Sequence, residues 1–159
     1  MATIADWRTL AASKRESLAA KIPTEWRLPN SILSQISQSS NICVLDIPKT
    51  CGILTERELD LTERYDATAL VEMMVKKEIT SHEVTTAFCK RTAIAQQVTN
   101  CCTEIMFDEA LERAKECDSY LATNDTPMGP VHGLPISLKV TIFILFIIIR
   151  WTLYLFAVL

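Results

Sequence analysis

Three glycines in 159 residues leave almost no material for a phosphate-cradling loop, and neither GxGxxG nor GxxxxGKS/T occurs. There is no excess of positive charge either. Lys and Arg number 16 against 19 Asp and Glu, a formal net charge of -3, which argues against a nucleic-acid-binding surface. No CxxC pair appears among the six cysteines, so a zinc or thioredoxin-like site has no spacing support. The opening MATIADWRTLAASKRE holds no apolar run of the signal-peptide kind. Cys43, Cys51, Cys89, Cys101, Cys102 and Cys117 are therefore expected as reduced thiols of a cytoplasmic chain, mostly buried or half-buried.

What is present fits one globular domain. Hydrophobic residues make up 49% and charged residues 22%. Charged and apolar residues alternate normally as far as Lys139, and there the composition breaks. Val140 to Leu159 reads VTIFILFIIIRWTLYLFAVL, with Arg150 as its single charge and neither Gly nor Pro.

Coarse patterning predicts mostly helix. Asp6 to about Lys21 has Leu10, Leu18 and Ile22 loosely at helical spacing, and Pro23 closes the segment. Residues 29–48 are Ser- and Gln-rich with no strong period, and are expected as an extended arm. Thr55-Glu56-Arg57-Glu58 is a capping-box pattern. Asp66 is a good N-cap for ATALVEMMVKKE, with Leu70 and Met73/Met74 inward. Ser81 is expected to cap a helix running to about Val98, with Val84, Ala87, Phe88, Ala95 and Val98 as its apolar stripe. Cys101–Phe107 is predicted as a strand. Asp108 is predicted to cap a helix with Leu111, Ala114, Cys117 and Leu121 on one side. A turn-rich loop over 123–135 leads to a second predicted strand, Ile136–Lys139, so an α/β unit with a parallel sheet is expected.

Few residues offer chemistry. His82, near a helix start, reads as a solvated histidine. His132, in a Gly/Pro loop, reads as a structural hydrogen-bonding group. Glu56, Glu58, Asp60, Glu63 and Asp66 form an acidic run that reads as a solvated face favouring helix N-termini. Lys139 stands apart. Period two places Ser137 and Lys139 on one strand face and Ile136 and Leu138 on the other. A lysine held at a strand end after the turn Gly129–Pro135 can enter a site. Buried there it loses its proton more readily, because desolvation disfavours the ammonium, and it can then act as a general base toward a serine.

The run GPVHGLPISLK, Gly129–Lys139, resembles the start of the amidase signature family, in which a G-P-L-H-G-[LI]-P-[IV]-x-x-K-D motif delivers the catalytic lysine. IPTEWRLP, DIPKTCGILTERELDLTERYDATALVEMM and SHEVTTAFCKRTAIAQQVTNCCTEIMFDEALERAKECDSYL resemble its fungal acetamidase-like members, so the likeness covers about Trp7–Lys139. The resemblance implies the N-terminal helices and first strands of an α/β/α mixed-sheet fold. It also implies hydrolysis of short carboxylic amides to acid and ammonia without a cofactor or metal. The family's site joins a serine nucleophile, a second serine on a cis peptide, and the lysine, which maps onto Lys139. The two serines belong to a Gly/Ser-rich stretch that this chain lacks, and the motif's aspartate is Val140 here. The chain alone is therefore expected to be inactive. Its expected organisation is a helical arm over 1–60, the start of an amidase domain over 61–139 and an apolar tail over 140–159.

Three readings of the tail follow, the plainest a soluble core helix or strand pair. Its 20 residues match a bilayer-spanning length, and 14 Leu, Ile, Phe and Val outweigh Arg150 on insertion scales. That gives an amidase-like head with a membrane anchor and a non-catalytic role. Alternatively, every valine codon begins with GT, the dinucleotide that opens most introns. T-rich intron sequence read in frame yields Phe, Ile, Leu and Val, so the tail is also read as translated intron.

Overall fold

The computed structural model describes residues 6–36 and 41–138. Lys139 and the tail Val140–Leu159 lie outside them, and so do all three readings of the tail. Among the described residues, no helix is long and apolar enough to cross a membrane.

Seven α-helices and one 3-10 turn make up the regular structure among the described residues. They are α1 (Trp7–Ala20), a 3-10 turn (Thr24–Trp26), α2 (Asn30–Leu33), α3 (Ile47–Thr50), α4 (Glu56–Glu63), α5 (Ala67–Val75), α6 (Ser81–Thr99) and α7 (Phe107–Asn124). The chain divides into two compact units, Met1–Ile53 with Thr92–Ile105 and Leu54–Arg91 with Met106–Leu159.

In the first unit, α1 follows the expected span, with Leu18 and Ile22 buried and Leu10 exposed. The stretch expected as an extended arm holds two four-residue helices instead, α2 after Pro29 and α3 with Pro48 in its first turn. Proline supplies the starting φ and lacks only a donor that the first turn leaves unpaired anyway. Buried apolar side chains in this unit include Leu18, Ile22, Trp26, Leu28, Ala93, Ile94 and Ile105. The Gln97 side chain joins distant backbone here, accepting from Leu28 N at 2.8 Å and donating to Trp26 O at 2.9 Å.

The second unit is built around Leu61, Leu70, Met74, Ile79, Val84 and Ala87, with Val71, Met73, Phe88 and Leu134 packed against them. Burying a Leu, Ile, Val or Met side chain contributes about 1.5–3 kcal/mol, so this cluster is a large source of the unit's stability. The capping box forms as read: Thr55 Oγ1 accepts from Glu58 N, and Glu58 Oε2 accepts from Thr55 N. Asp66 accepts from Ala69 N at 2.8 Å. Glu58 is more than a cap, since its other carboxylate oxygen takes Lys90 Nζ at 2.7 Å. Burial pushes the Glu58 carboxyl up, but its bonds from Lys90 and Thr55 outweigh this and hold it below the usual range. Scarce glycine shows at the helix ends. Lys77, Asn100 and Asp125 take left-handed backbone after α5, α6 and α7, a conformation that ordinary side chains adopt at a cost.

The predicted strands are corrected. Residues 101–106 have no regular structure, and Phe107 already belongs to α7. Here side chains take up backbone groups that a sheet would otherwise pair: Cys102 N donates to Gln96 Oε1 at 2.7 Å, and Ile105 O accepts from Lys21 Nζ at 3.0 Å. Ile136–Leu138 is likewise irregular, and Ile136, Ser137 and Leu138 are all exposed, so neither face is covered. A strand needs a neighbour for its ladder. Among the described residues there is no strand, and the expected parallel sheet is absent there.

Candidate functional site

The motif-bearing loop is held against the start of α6 and the middle of α7, within the second unit. Thr80, one residue earlier than expected, caps α6, its hydroxyl accepting from Glu83 N at 3.0 Å. Ser81 opens the helix proper and is fully buried. Its backbone N–H donates to Asp118 Oδ1 at 2.6 Å, and that of His82 donates to Asp118 Oδ2 at 3.0 Å. One carboxylate on α7 thus closes two of the four donors that any helix start leaves open, and its charge complements the helix dipole.

The loop then closes on itself. Met128 N donates to His132 Nδ1 at 3.1 Å, His132 N to Gly129 O at 3.2 Å and Leu134 N to Val131 O at 3.1 Å. His132 is completely buried. Accepting at Nδ1 leaves its proton on Nε2, so the ring is neutral. Burial holds its pKa below the usual histidine value, with Asp118 raising it and Arg113 lowering it. The reading of His132 as a structural hydrogen-bonding group holds. His82 is half-buried rather than solvated, and its carbonyl accepts from Thr86 Oγ1 at 2.7 Å.

Gly133 sits at φ +70, and a Cβ there would lie 2.1 Å from Ser81 Oγ and 2.6 Å from Ser81 Cβ. Glycine is required twice over, by the positive φ and by the close approach of loop to helix. Beneath it, burial pushes the Cys117 thiol up, opposed by Arg113 and by a hydrogen bond with the Gly133 backbone. Ser81 Oγ, Thr85 Oγ1 and His132 Nε2 are buried without a hydrogen-bond partner among the described residues. Ser81 Oγ and His132 Nε2 are therefore not hydrogen-bonded to each other, and the pair lacks the bonded geometry of an activated serine and its base. Chemically, the arrangement positions: it seats the Gly129–Leu134 turn on the start of α6.

Sequence reasoning found His132 and the turn but missed Asp118 and the Ser81–Gly133 contact. A signal for Asp118 existed. It lies four residues after Ala114 and three before Leu121, a charged residue on the inward stripe of α7. A surface recess of about 280 Å³ lined by Glu56, Arg57, Asp60, Tyr65 and Met73, among others, shares no residue with the loop. The six cysteines are free thiols, Cys89 and Cys117 buried, Cys51 and Cys102 half-buried, Cys43 and Cys101 exposed. Among the described residues, no group of three or more His, Cys, Asp and Glu is placed to hold a metal ion.

Comparison with known proteins agrees with the motif. Residues 83–144 match the amidase family, a match that continues past Lys139. An amidase of Gibberella moniliformis is 46% identical over 134 residues, covering 84% of this chain and 25% of that protein. An acetamidase of Emericella nidulans is 50% identical over 133 residues, covering 84% of this chain and 23% of the enzyme. Among solved structures, a fatty acid amide hydrolase aligns with TM-score 0.71 at 34% identity, over 85% of this chain and 24% of that one. The chain spans about a quarter of the length of the curated relatives it matches, and over that quarter it belongs to the amidase family.

Proposed function

We propose that residues 7–139 form the opening segment of an acetamidase-like amidase whose complete form hydrolyses short carboxylic amides to acid and ammonia. In this reading Lys139 is the general base. Neutral at working pH, it draws a proton through a bridging serine from the nucleophilic serine, which attacks the amide carbonyl. Backbone N–H groups hold the oxyanion, ammonia leaves, and water releases the acid. The two serines and the oxyanion donors lie outside these 159 residues, so the chain by itself is inactive. Its organisation is an N-terminal helical arm and extended segment over 1–60, the start of the amidase domain over 61–139, and an apolar tail over 140–159 that we read as translated intron, although the family match runs on to residue 144.

The observation that supports this most is the Gly129–Leu134 turn. The residues of the family motif are the ones that close the loop and press it onto α6, immediately before the lysine. The test is to sequence the locus and its transcript past the Lys139 codon. An Asp-led exon with a Gly/Ser-rich segment, joined by spliced reads to that codon, is expected. The protein it encodes should release ammonia from acetamide. Lys139→Ala and Lys139→Arg should each abolish turnover, arginine because its guanidinium cannot give up a proton. Turnover retained in either variant removes Lys139 from the mechanism. A dominant transcript ending in the apolar tail, with carbonate-resistant membrane association of its product, favours the anchor instead.

A further inference from the structure

Cys101 and Cys102 are consecutive, and their sulfurs stand 3.8 Å apart. Cys101 is exposed and Cys102 half-buried, so the pair is reachable from solvent, whereas Cys89 and Cys117 are not. The backbone between the thiols is held. Asn100 takes left-handed backbone at φ +50, Cys102 N donates to Gln96 Oε1 at 2.7 Å, and the Gln96 amide donates to Asn100 Oδ1 at 3.0 Å. A disulfide needs sulfurs about 2.05 Å apart, so closing one here would wrench a pinned segment. A single atom bonded to both sulfurs needs no such closure. At about 2.3 Å per bond and the angle of about 95–100° of a three-coordinate centre carrying a lone pair, it spans about 3.4–3.5 Å, a few tenths of an ångström from the separation present.

The number of donors then selects the ligand. A structural zinc ion takes four protein ligands, and this site has two with no third His, Cys, Asp or Glu placed beside them among the described residues. A trivalent arsenic carrying one organic substituent needs two thiolates and no more. We propose that Cys101 and Cys102 form a vicinal dithiol that captures trivalent organoarsenic of the type R–As=O. The step balances as a condensation: two S–H and one As=O bond break, two As–S bonds form, and the oxygen leaves with both thiol protons as water. Nothing is oxidised or reduced. Burial first, and then the neighbouring Cys101, push the Cys102 thiol up to about 11, so Cys102 enters as a neutral thiol near pH 7. The proposal is independent of the amidase reading.

The reduced full chain, held in mild detergent, is titrated with phenylarsine oxide and followed by intact mass and by iodoacetamide mapping of every cysteine. One equivalent is expected to bind with loss of one water and to protect Cys101 and Cys102 together. Cys101→Ser and Cys102→Ser should each weaken capture by at least about 100-fold, the advantage of two linked attachments over one. Cys43→Ser and Cys51→Ser should leave it unchanged. Affinity should be flat over roughly pH 6–8, because no net proton is released, unlike metal binding to thiols. Protection falling on other cysteines of the unaltered chain overturns the proposal without any variant. Capture within a few-fold of the parent after either single substitution overturns it as well.

Discussion

The two ends of α6 are both held by polar side chains, but by different chemistry. At its start, the Asp118 carboxylate takes two backbone donors, while Ser81 Oγ, Thr85 Oγ1 and His132 Nε2 stay buried and unpaired close by in the same unit. At its far end, neutral amides do the work. Gln97 pairs with Trp26 O and Leu28 N, and Gln96 with Asn100 and Cys102 N. Both glutamines at the far end have both side-chain groups bonded. The start gives up hydrogen bonds to bring the motif loop into contact with the helix. Unpaired buried polar groups are tolerated in native proteins mainly where position matters more than stability, and here Ser81 and His132 belong to the contact between the motif loop and α6.

The largest effect should come from closing the contact between loop and helix. Gly133→Ala places a methyl group 2.1 Å from Ser81 Oγ at φ +70. Overpacking and left-handed strain together should cost about 2–5 kcal/mol, read as a lower urea midpoint at unchanged slope. A midpoint within experimental scatter of the parent would mean that the loop does not seat on α6.

Next come the two polar anchors. Asp118→Ala strands two N–H groups at a helix start and removes a charge-assisted acceptor, for about 2–4 kcal/mol. Gln97→Ala leaves one donor and one acceptor unpaired through loss of a neutral amide, for about 1–3 kcal/mol. Hydrogen exchange should locate the first loss at residues 81–84 and the second at 26–28. The reverse order of cost would break the contrast between a charged and a neutral anchor.

A smaller effect of opposite sign is expected at Thr85. Thr85→Val replaces a buried unpaired hydroxyl by a methyl of similar shape, so stability should rise by up to about 1 kcal/mol. Thermal melting checks this, and a clear loss would mean that the hydroxyl has a partner in the complete protein.

The smallest effect belongs to His132. Its folded pKa lies below 6.5, the ordinary histidine value, because burial disfavours the charged ring. Between that lowered value and 6.5 the unfolded chain binds the extra proton, so stability is full above pH 6.5 and falls as pH drops below it. His132→Asn, which keeps an acceptor near Nδ1, should flatten that part of the pH profile. An unchanged slope between pH 7 and 5 would place the pH dependence on other groups.

Local rules were legible without coordinates. The Thr55–Glu58 box, the Asp66 cap, the inward Leu70 and Met74, and the stripe Ala114–Cys117–Leu121 each depend on residues within one or two helical turns. So was the likeness carried by GPVHGLPISLK. That the two expected strands would not form among the described residues was not legible. A short apolar run shows that a segment is buried or paired but not with what, and residues 101–106 find side-chain partners where a ladder was expected.

What the sequence determined by itself is therefore the longer helical spans, the caps at Thr55 and Asp66 and the family motif, because periodicity, capping and turn chemistry act over a few residues. What only the tertiary structure decided is why that motif has its shape. Asp118 reaches the start of α6 from 37 residues away, and Gly133 must be glycine because Ser81, far back in the chain, occupies the space of its side chain. Contacts between residues so distant in sequence leave no local pattern, and only packing brings them together.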